Sequence, residues 1–408
     1  MSLFRQHKSF AVLLATIVLM ELAHGVEIVT LLPLYLTQHF GQGSAFVGVA
    51  ASTYLLVDTL LTRTPAGLLA DRWGRKRTLV LGILLSLAPI PFMVFANDPN
   101  LFIPLNVVNG LGAGMIWPPI YALVADRYER DQRGTVLGLI NMVMLGGLAA
   151  GGPISGSLIL TLFGYPDPAV YPRGFAVCIL FVLLALILVV AFVQEPHIHM
   201  SVAAPTERGG TTGGVDLAFV LLLVIGLLIT LGLGLIVPIL TLFGTNILKV
   251  SLPTFALILI PPALTAGIVL VPAGRWADRR GRQLPLLLGL SLIALPFWGA
   301  AASTNPLIVS AGGMVAATGY ALLAPAWNAL IMDWIPAQRR GFFLGGVATV
   351  QGLGFAAGPA LGGQLFEINP YAPFWTAGAL LTLGALLAAL VAYRLPHRIA
   401  PELETRSE

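Results

Sequence analysis

Twelve stretches of this chain stay apolar for about 20 residues or more, the length an α-helix needs to cross the hydrocarbon core of a bilayer. They fall near 9–38, 44–70, 77–97, 100–126, 132–163, 171–194, 215–247, 251–277, 283–302, 305–333, 339–366 and 371–394. In lipid a helix satisfies its own backbone hydrogen bonds, so each run reads as a transmembrane helix. With 57% of 408 residues hydrophobic and only 10% charged, too little polar surface is left for a water-soluble globule of this size. The first run follows Arg5 and Lys8, as a cleaved leader would. It continues to about Leu36, however, and contains Glu21, His24 and Glu27, so it reads as a retained span. The single cysteine, Cys178, rules out an intramolecular disulfide and a cysteine-rich metal site.

An even number of spans puts both termini on one side. If that side is the cytoplasm, every one of the 22 Lys and Arg lies there except Arg173, Lys249 and Arg63. This asymmetry is the positive-inside pattern of a plasma (inner) membrane protein, and the reverse topology would invert it. The basic clusters therefore read as topology signals, not as a nucleic-acid footprint.

The chain also repeats itself. Pro65–Arg77 reads PAGLLADRWGRKR and Pro272–Leu284 reads PAGRWADRRGRQL, 272 − 65 = 207 positions apart. At the same offset Gly112, Pro118, Asp126 and Gly134 match Gly319, Pro325, Asp333 and Gly341. Gly138, Gly147 and Gly151 match Gly345, Gly354 and Gly358; Pro153 and Gly156 then match Pro359 and Gly362 at 206, so the first half carries one extra residue near Gly152. Equivalent motifs face the same side, which is a parallel repeat about an axis along the membrane normal. The expected fold is an all-α membrane protein of twelve transmembrane helices in two pseudo-symmetric six-helix bundles. Residues 1–194 form the first and 215–394 the second, with a polar, Gly/Thr-rich cytoplasmic linker at 195–214 and a cytoplasmic tail at 395–408.

Gly67-x-Leu69-Ala70-Asp71-Arg72-x-Gly74-Arg75-Lys76 resembles the signature loop between spans two and three of the major facilitator superfamily. The degenerate copy between spans eight and nine is also characteristic of that family. The run Gly345-x8-Gly354-x3-Gly358-Pro359-x2-Gly362-Gly363 resembles the glycine-proline motif of the family's drug/proton antiporters, although there it sits on the fifth span and here its clean copy is on the eleventh. The resemblance implies a twelve-span carrier working by alternating access as a monomer. It also implies that Asp71 faces the start of span eleven near Gly341, where the positive end of a helix dipole attracts it. Arg75 would then pair with Asp126, completing a latch that closes the cytoplasmic side. Gly147, Gly151, Pro153, Gly354, Gly358 and Pro359 are expected to give close-packed, bendable helices in both halves.

Nearly all of the 18 acids lie in loops or at span ends; Glu21, Glu27 and Asp58 do not. An ionisable group inside a span costs a few kcal/mol or more, so each is a functional candidate. At about 1.5 Å per residue, Glu21 lies roughly 18 Å up span one and Asp58 about 20 Å above Asp71, so both come near mid-membrane. Glu21, His24 and Glu27 share one helical face, with Glu27 roughly 9 Å further out, where water is expected to reach it. Burial favours the neutral form of a carboxyl, which suits a group that loads and releases protons. His24 is a candidate relay. Arg63 either neutralises Asp58 or extends toward the cytoplasm. The family's antiporters often carry an arginine in a fourth-span pattern ending in Gln-Gly. Here that stretch reads Asn106-Val107-Val108-Asn109-Gly110, with asparagine at the arginine position, so coupling is expected to rest on spans one and two.

The second half has no mid-membrane charge. Its candidates for the cavity wall are Trp327, Asn328 and Gln351, facing Tyr54, Trp117, Tyr121 and Asn141 of the first half. One acidic wall and one apolar, aromatic wall suit a lipophilic or amphipathic substrate. No nucleophile-base set, metal spacing or phosphate loop stands out, so neither an enzyme nor a cofactor is expected. The expected function is proton-coupled export of hydrophobic or amphipathic small molecules. A lipid or lipid-linked glycan flippase is the first alternative, and a proton-coupled symporter of a small nutrient the second.

Overall fold

The computed structural model describes residues 2–128, 136, 139–140, 143–144, 146–147, 152–195, 217–301, 303–334 and 340–394. Among these, nine helices are long and apolar enough to cross a bilayer: Phe10–His39, Ser44–Trp73, Arg75–Val94, Pro99–Asp126, Val170–Phe192, Leu252–Ala277, Pro306–Met332, Phe343–Ile368 and Ala372–Val391. Three shorter apolar helices, Gly152–Leu162, Phe219–Gly234 and Gln283–Trp298, occupy the fifth, seventh and ninth places. Together they make the all-helical twelve-span architecture that the apolar runs imply, and they are called spans one to twelve below.

Several runs that look continuous in sequence are broken, the fourth among them, into Phe102–Gly114 and Trp117–Arg127. The seventh leaves its helix after Gly234, passes through a turn at 235–239 and resumes as Leu240–Leu242 and Phe243–Ile247. Pro238 sits in that turn and has no N–H with which to continue the ladder. The third divides into Arg75–Leu87 and Pro89–Val94 at its proline pair, Pro89 and Pro91.

The repeated loop has a backbone reason. Gly74 joins span two to span three as a one-residue corner with φ +112°, and Gly281, 207 positions on, has φ +90° between spans eight and nine. A side chain would clash with the backbone at such φ, so the motif needs glycine at both corners.

Spans one and two contain wide π-helical turns at Val26–Leu31, Tyr35–His39 and Val57–Thr62. The first and third directly precede the turns that hold Pro33 and Pro65. A proline ring clashes with the carbonyl four residues earlier and offers it no N–H, and a widened turn relieves both problems. Thr62 Oγ1 donates to the Val57 carbonyl at 2.8 Å, serving one acceptor of the widened stretch.

Two contacts show how closely the helices approach one another. A Cβ on Gly25 would lie 2.7 Å from Gly152 Cα, so spans one and five cross backbone to backbone. In the other half Gly358 crosses Gly234 in the same way, with 2.5 Å to the Gly234 carbonyl carbon. These crossings are where small residues on paired helices are required.

The end of the bundle that carries the Asp71 loop is called the basic end here, and the opposite one the far end. The halves meet at the far end. Span two packs on span eleven along Ser44–Thr62, and span five on span eight. Ser44 Oγ donates to the Gly363 carbonyl (2.9 Å), Ala360 N–H to Ser52 Oγ (2.8 Å) and Thr241 Oγ1 to the Val29 carbonyl (2.6 Å). Toward the basic end, Arg63–Trp73 packs on spans three and four of its own half. Among the described residues, the contacts between the halves thus concentrate at the far end. The linker and tail expected at 195–214 and 395–408 lie outside the described residues, except Glu195. Its carboxylate accepts from Arg75 N–H (2.6 Å) and Lys76 N–H (2.9 Å), capping span three.

Candidate functional site

The first half builds a polar pocket from spans one, two and four. Glu21, His24, Glu27, Tyr54 and Asp58 are all buried. The π-turn at Val57–Thr62 carries Asp58 at its start, and Arg63 follows it. Arg63 turns back onto Asp58 with two contacts, Nη2 to Oδ2 at 2.8 Å and Nε to Oδ1 at 3.3 Å. Of the two roles open to Arg63, the structure shows neutralisation of Asp58. The Arg63 side chain keeps 43% of its surface exposed and the Asp58 side chain 8%, so the carboxylate is buried and its partner reaches the surface.

Glu21 feels the charges of Asp58 and Arg63, and Tyr54 and Tyr121 feel the same three groups. These residues therefore form one electrostatic cluster. Glu21 is lodged against span five, where a Cβ on Gly147 would come within 2.5 Å of the Glu21 Cβ. The glycine is what lets the carboxylate helix come so close. Trp117 stacks obliquely on Tyr121 with ring centroids 6.1 Å apart, and His24 lies 5.8 Å from the Tyr54 ring.

Glu27 differs from expectation. It is 1% exposed, so water does not reach it in this arrangement. Asn109 Nδ2 donates to its Oε1 at 2.7 Å, and Glu27 Oε2, Asn109 Oδ1 and both side-chain polar atoms of Asn106 have no partner among the described residues. In the sequence the span-four asparagines stand out as a departure from a family pattern, and their spacing, three apart on one helix face, is the signal that both turn inward.

In the second half, Trp327 is buried, Gln351 half-buried and Asn328 exposed. Trp327 and Gln351 meet over Gly226, where a Cβ would lie 2.9 Å from the indole and 3.3 Å from Gln351 Cγ. Gly354 packs on Leu227 and Thr230, and the Pro359 carbonyl sits against Gly48. Pro153 is buried beside the span one–span five crossing. Asn141 and Gly151 lie outside the described residues.

At the basic end Arg75 Nε reaches Asp126 Oδ2 at 2.9 Å, and Arg75 Nη2 reaches Asp71 Oδ1 at 3.3 Å. Asp71 itself is exposed, its side chain at 66%. Gly341 lies in the first turn of the helix Arg340–Ile368, whose main packing on span two is along Ser44–Thr62 and not along the Asp71 segment. Among the described residues no bond joins Asp71 to that helix.

Twelve apolar helices in two repeated halves, with ionisable side chains held inside the spans, define a carrier of solutes across a bilayer. The Major Facilitator Superfamily model matches residues 12–219 and again 222–407, and the chain belongs to that family. It is a transporter, not an enzyme. Among its relatives, "Proton-coupled antiporter flippase LtaA" of Staphylococcus saprophyticus is 24% identical over 370 residues, covering 90% of this chain and 89% of that protein. "Multidrug resistance protein 2" of Bacillus subtilis is 24% identical over 389 residues, covering 94% and 95%. A bacterial homologue of the human lysosomal transporter Spinster, solved in an inward-facing, unoccupied conformation, shares the fold with a TM-score of 0.77. It is 16% identical, over 98% of this chain and 99% of that one.

Proposed function

We propose that this protein exports hydrophobic or amphipathic small molecules across the plasma (inner) membrane in exchange for protons, by alternating access. In this reading the basic end and both termini are cytoplasmic, the halves are 1–194 and 215–394, and the transporter works as a monomer. The observation that carries it is the Glu21–Asp58–Arg63 cluster. Its two carboxylates are buried in one half, inside spans one and two, and Arg63 stays partly exposed beside them. A proton on Asp58 removes the charge that holds Arg63, and a proton on Glu21 lowers the cost of carrying the site through an occluded state. Substrate and proton would then alternate at one cluster. The name of the LtaA relative supports proton exchange and a lipid-type cargo, and that of the multidrug resistance relative supports drug-like small molecules. The flippase reading stays beside it because one polar and one apolar wall also suit a headgroup and an acyl chain.

The deciding experiment is transport in proteoliposomes with a lipophilic dye, a lysolipid and a sugar, each with and without a pH gradient. Gradient-dependent movement of the dye supports export, and that of the lysolipid alone favours the flippase. Movement of the sugar alone defeats both.

A further inference from the structure

The helix Ser44–Leu56 opens span two, and its own N-cap residue is Gly43, which has no side chain with which to cap it. The first turn of a helix leaves backbone N–H groups without partners, and a carboxylate is the strongest surface cap. The cap here comes from the other half of the molecule. Glu367, in the last turn of span eleven, accepts the Ala45 N–H on Oε1 at 2.9 Å. Its carboxylate lies so close to Gly43 that a Cβ there would collide with Oε1.

A carboxylate in the last turn of its own helix is unfavourably placed against that helix's dipole. Two acids on this helix pair share the problem: Asp71 ends span two and Glu367 ends span eleven. Because the two helices run antiparallel, each acid has the other helix's positive end for a partner. Among the described residues the partner is engaged at the far end, by Glu367, and not at the basic end, where Asp71 pairs with Arg75. We propose that Glu367 is the latch of the far-side gate, reciprocal to the Asp71 latch of the basic side. A step toward the opposite state would strip span two of its cap while giving span eleven one. The idea rests on the alternating-access reading but not on proton coupling. The internal repeat does not announce it, since position 367 − 206 = 161 is a threonine.

The test is a spin-label pair at exposed far-end positions, Ala169→Cys with Thr304→Cys, in the full-length protein; the native Cys178 is buried. Glu367→Ala should raise the long-distance, far-end-open population about tenfold, the loss expected for one hydrogen bond to a charged group at a wet rim. Glu367→Gln keeps an acceptor and should raise it by about threefold. Gly43→Ala leaves Glu367 intact, and its φ of −72° accepts any residue, so only the collision with the carboxylate is introduced. It should shift the distances in the same direction. Running the series again with Glu21→Gln and Asp58→Asn separates this idea from coupling, because the latch should respond identically there. Distances unchanged in both Glu367→Ala and Gly43→Ala overturn the proposal, as does a shift in Gly43→Ala alone.

Discussion

Asp58 and Arg63 form a two-point ion pair although they are five residues apart on one helix. On a regular α-helix such residues point about 140° apart at 3.6 residues per turn, and the π-turn at Val57–Thr62 narrows that angle. Breaking the pair from the arginine side strands a buried carboxylate. Arg63→Ala should therefore cost on the order of 1–3 kcal/mol, less than a fully buried pair because the guanidinium is partly exposed. Asp58→Asn in the same protein should recover most of that loss. Thermal unfolding of the two single variants and the double variant in detergent measures the coupling; simple additivity would mean the pair is incidental.

Glu21→Gln or Asp58→Asn should abolish uphill transport under a pH gradient while leaving substrate binding and downhill exchange, since the amide keeps the shape and loses the titration. Gradient-driven uptake into inverted vesicles, with binding recorded in parallel, reports both. A double variant with the parent's gradient dependence would falsify proton coupling and leave a facilitator.

Glu27 deserves a different expectation from the one its position along span one suggested. Because it is buried and bonded to Asn109, Asn109→Ala should destabilise the protein by about 1–3 kcal/mol. Glu27→Gln, which keeps an acceptor for Asn109, should cost less. Equal melting temperatures for Asn109→Ala and the parent would show that the contact contributes nothing.

Asp71→Asn should leave membrane insertion intact and weaken closure of the basic end, because an amide is drawn less strongly to a helix N-terminus. Spin labels on spans two and eleven at that end should show broader distances. An unchanged distribution with normal transport would assign Asp71 to topology alone.

Orientation has its own check. Cysteines at Arg208 and Lys249 should react with an impermeant reagent from opposite sides of the membrane. Labelling of both from one side defeats the assignment of the basic end to the cytoplasm.

The fold was legible because apolar length and a 207-residue repeat act over whole helices, where single-residue accidents average out. The candidate carboxylates stood out for a similar reason, since Glu21, Glu27 and Asp58 interrupt otherwise apolar runs. What stayed hidden depends on azimuth and on partners distant in sequence. Whether Arg63 turns back or reaches outward depends on a widened turn that no residue pattern marks uniquely. The burial of Glu27 depends on an asparagine 82 positions away, and the cap on Ala45 on a glutamate 322 positions away.

The wide turn in span two has one more consequence, for insertions and deletions. A π-turn holds one residue more than the α-turn it replaces. Removing a single residue between 58 and 62 would therefore let the turn relax to ordinary winding and leave the segments on either side in nearly their present orientation, with Arg63 then four residues from Asp58, a spacing at which two side chains share one helix face. Removing one from the regular stretch Ser44–Leu56 would instead turn everything after it by about 100° relative to what precedes it. Asp71 and the Gly74 corner would then be re-aimed at lipid or at the wrong neighbour. Two deletions a few residues apart, neither shortening a loop, would thus differ sharply in what they do to a helix that still spans the bilayer.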